Sequence, residues 1–324
     1  GNSIQGSILT RVYTGGSGTV NVTFSAAGSP SQGAVVYMIP VYGAVDPQVG
    51  GTVSYTSTGG AVMGGPTSTY GHQYGVQWEG VGAIAYSAAS GTTVTPGYPS
   101  GIQSGDALVL MVHQKPSSAN GGSCTTPSGW TPIPSGSLTG AGGYGATLGA
   151  DTGNTNVYAF TKDTVTGSET GTLSVTVGTN NVCSAQIHRA SKDVSGNTWG
   201  YAATTGSRSV SGTAPSITFS ADPGIATGDL CISYFGIPTD VTTPSQFSSE
   251  SFTATGITWG TLTEDNEPDT TTGNDLGGVV CHARAVSGTS SAAPVFAATA
   301  GGTTTNVRGP AVFVRLRSVA SGGS

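Results

Sequence analysis

Charge is what this chain has least of. Only 8% of its 324 residues are Asp, Glu, Lys or Arg, against about a quarter in ordinary globular domains. Its ten Lys and Arg are scattered, the net charge is −6 and the pI is near 5.0. No patch is basic enough to track phosphates, which excludes nucleic acid as a partner. Helix is scarce for a different reason. The longest stretch free of Gly and Pro is Thr179–Ser195, 17 residues, and its apolar positions do not recur at helical spacing. No apolar run reaches the ~18 residues that span a bilayer, so no membrane partner is expected. Cysteine is sparse as well. Cys124, Cys183, Cys231 and Cys281 do not fall at matching places in the two repeats described below. Three of them lie in strand-like apolar surroundings, and buried free thiols are expected rather than a disulfide framework.

What remains is rich in glycine, 53 residues, yet 36% hydrophobic. The apolar residues gather in short dense runs such as Leu108-Val109-Leu110-Met111-Val112. Disordered chains of similar polarity lack such runs. Val20-Asn21-Val22-Thr23-Phe24 and Leu173-Ser174-Val175-Thr176-Val177 alternate apolar with polar, the pattern of a half-buried strand. Clusters of Gly, Pro, Asn and Ser separate these runs at the spacing of sandwiches and barrels. The fold class is all-β.

The chain also repeats itself. Gly101-Ile102-Gln103-Ser104-Gly105-Asp106 returns as Gly224-Ile225-Ala226-Thr227-Gly228-Asp229, each time before an apolar run. Thr125-Thr126-Pro127-Ser128-Gly129-Trp130 returns as Thr242-Thr243-Pro244-Ser245-Gln246-Phe247, and Thr152-Gly153-Asn154 as Thr272-Gly273-Asn274. The offsets are 123, 117 and 120 residues, so order and spacing are both kept. The expected organisation is a small β-rich N-terminal docking domain at 1–76 and two tandem β-sandwich repeats of jelly-roll or immunoglobulin-like type, at 77–193 and 194–324. The motif strands are Ala107–His113 and Leu230–Ile237, and the closing strands are Val182–Arg189 and Ala311–Arg317.

The chemistry-bearing residues read mostly as structural. Asp106 and Asp229 each follow a turn glycine and are placed to accept backbone N–H groups there, fixing the start of the strand. His113, His188 and His282 sit on or beside strands, and no Gly-x-Ser-x-Gly elbow accompanies them. Glu264, Asp265, Glu267, Asp269 and Asp275 form one acidic cluster, read as a solvated loop. Its alternative use is as oxygen ligands to Ca²⁺, although the spacing matches no calcium loop. Among the aromatics, Trp130 and its two counterparts in the second copy, Phe247 and Trp259, are the candidates for contact with a glycan or a partner.

The motif Gly-Ile-x-[Ser/Thr]-Gly-Asp, the apolar strand after it, the Thr-Thr-Pro-Ser-Gly-Trp loop and a closing strand with Arg together resemble repeats in virion structural and tail-associated proteins of tailed bacteriophages. The resemblance covers roughly residues 83–317 and carries over no catalytic residue. It implies a non-enzymatic component on the outside of a virion, as head decoration, tail or fibre. Copies of the chain itself, other virion proteins and a host surface glycan are then the expected partners. A secreted or cell-surface adhesin or carbohydrate-binding protein is the alternative. An enzyme of polysaccharide depolymerisation is a third reading, and it needs two facing carboxylates. The motif strands Ala107–Val112 and Leu230–Phe235 contain no charge. If they lie at sheet edges, a neighbouring subunit or the N-terminal segment must cover them, which predicts a homo-oligomer.

Overall fold

A computed structural model of the chain describes residues 75–87, 91–116, 122–133, 155–178, 180–208, 213–239, 246–270, 276–301 and 307–320. The chain divides into two compact units, Gly1–His72 and Gln73–Ser324. The N-terminal domain expected at 1–76 lies, but for its last two residues, outside the described residues. So does Asp275 of the acidic cluster. All that follows concerns the second unit, whose regular structure among the described residues is entirely β-strand.

The first copy supplies β1 (Val76–Val81), β2 (Ala85–Ser87), β3 (Thr93–Val94), β4 (Ala107–Pro116), β5 (Thr131–Pro132), β6 (Asn156–Lys162), β7 (Val175–Thr176) and β8 (Asn180–Lys192). The second supplies β9 (Thr198–Arg208), β10 (Ser216–Thr218), β11 (Leu230–Ile237), β12 (Phe247–Thr253), β13 (Ile257–Trp259), β14 (Thr263–Asn266), β15 (Asp269–Thr270), β16 (Leu276–Gly288), β17 (Val295–Ala300) and β18 (Gly309–Val319). Two large sheets result, with strand orders β1-β8-β4-β6-β5 and β9-β18-β11-β16-β13. The orders correspond strand for strand, and the motif strands β4 and β11 sit at the centre of each. The sequence boundary expected at 193/194 falls between β8 and β9, inside one compact unit.

The sheets face each other. Val109 and Met111 of β4, Val157 and Ala159 of β6 and Ala190 of β8 share one buried cluster with Ile232 and Tyr234 of β11, Val280 of β16 and Val314 and Leu316 of β18. The opposite face of the first sheet carries Leu108, Leu110, Val112, Tyr158 and Ile187 into a second cluster, capped by Val94 of β3 and Val175 of β7. The opposite face of the second sheet carries Cys231, Phe235, Val279 and Phe313 into a third. Its cover is the small sheet β10-β17-β12, through Ile217, Phe296 and Phe252. Each central strand is therefore covered on both faces. That is why β4 and β11 are buried along their whole length and do not alternate, β4 opening on the apolar run Ala107–Val112 before the buried polar His113, Gln114 and Lys115. The edge premise behind the expected homo-oligomer does not hold, because neither motif strand lies at an edge.

The sequence pattern did not suggest β12, whose Phe-Ser-Ser-Glu-Ser-Phe-Thr reads as polar. Phe247 and Phe252 are five residues apart, an odd spacing that should send them to opposite faces. The register against β17 shifts between Ser248 and Ser251, and Ser249 takes φ 59°. The extra residue of this bulge restores the parity. Both rings then reach the same core.

Candidate functional site

The repeated motif builds the same corner twice. Asp106 N–H donates to Gln103 O at 3.2 Å and Asp229 N–H to Ala226 O at 3.1 Å. The turn passes through Gly105 at φ 87° and Gly228 at φ 90°, conformations that favour glycine. Asp106 Oδ2 accepts from Gln103 N–H at 2.8 Å and from Arg189 Nε at 2.6 Å. Asp229 accepts from Ala226 N–H at 2.7 Å and from Arg317 Nε and Nη2 at 2.8 and 2.6 Å. Each arginine also ties the preceding loop. Arg189 Nη1 donates to Ser100 O at 3.1 Å and Arg317 Nη2 to Gly224 O at 2.6 Å. These charge-assisted bonds lock the corner to the closing strand. The sequence placed the aspartates in the turn but did not pair them with arginines more than eighty residues away.

A polar seam runs along the inner face of the first sheet beyond the apolar cluster. His113 and His188 are fully buried, and none of their ring nitrogens has a hydrogen-bond partner among the described residues. Burial holds both imidazoles down to about 3, with Lys115 adding to the effect at His113 and His282 at His188. His113 meets the edge of the Tyr234 ring. It also lies against Gly236, where a Cβ would come within 2.5 Å of the imidazole. Lys115 is equally buried and donates from Nζ to Pro238 O at 2.8 Å. Ser184 and Tyr234 share a hydroxyl–hydroxyl bond of 3.1 Å across the sheets. At the rim, Trp78 stacks on His282 with ring centroids 4.1 Å apart, and His282 Nδ1 pairs with Asp265 Oδ1 at 2.7 Å.

The aromatic candidates do not converge. Trp130 is 6% exposed and belongs to the outer core of the first copy, while Phe247, at 2%, and the half-buried Trp259 belong to that of the second. Trp259 packs edge-on against Phe252 and Phe313. Trp130 and Phe247 are given to the core, with no open face for a sugar.

The acidic segment is not the solvated loop the sequence suggested, because β14 and β15 both pair with β16. Two of its carboxylates already have work. Asp265 holds His282, and Glu267 accepts Gln246 N–H at 2.8 Å together with Phe247 N–H. Asp269 N–H donates to the Tyr86 hydroxyl at 3.1 Å. Among the described residues no group of three or more His, Cys, Asp or Glu is placed to hold a metal ion. The four cysteines are free, three of them buried, and burial pushes Cys124 up to about 12 and Cys183 and Cys231 well above their ordinary range. None is poised as a thiolate at neutral pH.

The structure adds a feature the sequence did not signal, a cleft of about 380 Å³ beside the first corner. Tyr98, Ser100, Gly101, Ile102, Glu169 and Thr170 line it. Burial pushes the Tyr98 hydroxyl up, Glu169 adds to this, and a hydrogen bond with Trp130 works against it. Glu169 stays below the usual carboxylate range. Desolvation opposes that shift, but N–H bonds from Thr166 and Gly167 outweigh it. Comparison of the chain with protein-family models, with curated proteins and with solved structures returns no match in any of the three.

Proposed function

We propose that this chain is a non-enzymatic structural protein of a tailed-phage virion surface, its two copies being β-sandwich repeats of jelly-roll or immunoglobulin-like type. One observation carries the reading. In both copies the most recognisable polar residues, Asp106 with Arg189 and Asp229 with Arg317, are spent on bracing a corner. Duplicated charge used for bracing suits a scaffold, and the back-to-back sheets join the pair of repeats in one compact unit. Partners are other virion proteins and copies of the chain. The contact edge for a second copy is the uncharged Thr198–Ala203 part of β9, since Thr204 and Thr205 are already bonded to Ala221 and Ser220.

Mass spectrometry of purified particles, with immunogold labelling, tests the placement. The chain is expected in the particle at fixed stoichiometry, and a version lacking residues 1–72 is expected to be lost from it. Recovery of the chain only from culture fluid or host envelope overturns the virion reading. That result favours the second reading, a carbohydrate-binding surface protein, for which the open cleft beside Tyr98 is the supporting observation.

A further inference from the structure

The two corners differ at one point, the partners of two successive backbone N–H groups. In the second copy, Gly224 N–H donates to Asp222 Oδ1 at 2.8 Å and Ile225 N–H to Ser290 Oγ at 2.7 Å. The Ser290 hydroxyl in turn donates to Asp222 at 2.6 Å. Two successive backbone donors are thus satisfied by two side-chain oxygens that bond each other. The equivalent donors of the first copy are Gly101 and Ile102, in the same backbone conformation, with φ 68° at both Gly101 and Gly224. There Pro99 stands where the second copy has Asp222, and Tyr98 where it has Ala221. No acceptor among the described residues takes the Gly101 or Ile102 N–H. Both residues line the cleft instead.

Successive N–H groups at a glycine turn form a concavity suited to oxygen atoms. The volume, about 380 Å³, lies within the range of small-ligand sites. Tyr98 adds a partly exposed ring, and Thr170 adds a hydroxyl at the rim. Glu169 places a carboxylate in the same lining, where it accepts from the Thr166 and Gly167 N–H groups and pairs with Lys162, and the chain carries a net charge of −6, which weighs against an anion. A hydroxyl oxygen is the occupant that remains, as the Ser290 hydroxyl is for Ile225 in the second copy, where Gly224 has the Asp222 carboxylate. Stacking on an aromatic ring and two N–H donors for hydroxyls together describe a sugar.

We propose that this cleft binds one neutral pyranose residue of a glycan, two of its hydroxyl oxygens taking the Gly101 and Ile102 N–H groups and its ring lying on Tyr98. Trp130, buried in the outer core and hydrogen-bonded to the Tyr98 hydroxyl, does not touch the sugar. The second copy fills the same place with Asp222 and Ser290 and binds nothing there.

The full chain, labelled with ¹⁵N, is titrated with methyl glycosides of glucose, galactose, mannose and N-acetylglucosamine, and separately with glucuronate. At least one neutral glycoside is expected to move the Gly101 and Ile102 amide resonances and to leave Gly224 and Ile225 still. Tyr98→Ala is expected to weaken that binding about tenfold, the loss of a stacking contact. Pro99→Asp supplies the carboxylate that Asp222 supplies in the other copy and is expected to abolish binding. Should Pro99→Asp fail to fold, judged by circular dichroism, the Tyr98→Ala comparison decides. Three results overturn the proposal: silence at Gly101 and Ile102 with every neutral glycoside, a response to glucuronate alone, or unchanged binding in folded Tyr98→Ala. Failure here leaves the scaffold reading standing, since incorporation into particles is measured separately.

Discussion

The first and second copies solve the same mechanical problem with different arginines. Strand pairing sets Arg189 opposite Leu108 and Arg315 opposite Cys231, positions that correspond under the 123-residue offset of the motif. Arg315 nevertheless leaves Asp229 to Arg317, and among the described residues Arg315 Nε is buried without a partner. The brace has moved outward by two residues, one step along the same face of the strand. The side chain of Arg189 is 10% exposed and that of Arg317 33%, while the two aspartates are almost equally buried. A duplicated sheet keeps the acceptor in its turn, where local backbone geometry demands it. The donor is free to slide in steps of two, because the strand period offers the same face again.

The copies also contribute unequally to the interface between the sheets. The first brings His113, Lys115 and His188, all fully buried, whereas the second answers mainly with Ile232, Tyr234, Val280 and Val314. The largest expected effect is therefore a response to acid. Both folded imidazoles are held at about 3 against an ordinary 6.5, so the unfolded chain binds protons that the folded chain refuses. Their contribution to stability is fully present above pH 6.5 and is lost as pH falls from there toward 3. Each histidine is expected to remove about 3 kcal/mol by pH 4. Denaturant titration at pH 7 and pH 4 reads this. His113→Gln with His188→Gln should flatten the difference, and an undiminished slope in the double variant would place the acid sensitivity elsewhere.

Next come the matched aromatics. Trp130→Ala and Phe247→Ala are each expected to cost about 3–5 kcal/mol, because both rings are core residues. Thermal unfolding measures it, and a loss below about 1 kcal/mol for either would mark that ring as a surface group. The corners then separate. Arg189→Met leaves Asp106 charged in a closed site and is expected to cost about 3 kcal/mol. Arg317→Met opens Asp229 to water and is expected to cost about 1 kcal/mol. Equal losses would show that the outward step changed nothing energetically.

The smallest effect concerns the rim of the second copy. Partial desolvation and the neighbouring Glu267, Glu250 and Asp265 push the Glu264 carboxyl up to about 7. A raised folded value means stability present below the ordinary carboxylate range and lost as pH rises through 7. Glu264→Gln should therefore stabilise the chain by under about 1 kcal/mol at pH 8 and have no effect at pH 4. A gain at both values would point to a cause other than charge.

Much of the β-structure could be read before folding was considered. The motif strand Leu230–Ile237 has the expected bounds, and β4 begins at the expected Ala107 but runs on to Pro116. What stood out in the sequence was apolar density, which persists wherever both faces of a strand are covered. The segments that did not stand out, β12, β14 and β15, are polar strands held by partners rather than by their own pattern. Of the candidate residues, the aspartates were placed correctly in their turns. Trp130 and Phe247 differ from their sequence reading because an aromatic beside a Thr-Pro-Ser loop looks exposed until a core closes over it.

The amino-acid sequence by itself determined the strand class, the doubled motif and the turn chemistry of Asp106 and Asp229. Each of these depends on residues within a few positions of one another, through glycine's access to positive φ and the alternation of side chains along a strand. Only the tertiary structure decided that the two sheets pack back to back, that Arg317 rather than Arg315 braces the second corner, and that His113 and His188 lie fully buried between the sheets. It also decided that Gly101 and Ile102 have no N–H acceptor among the described residues while Gly224 and Ile225 do. These outcomes turn on which face is covered and by what, and the covering residues stand far away along the chain, where no local pattern reaches.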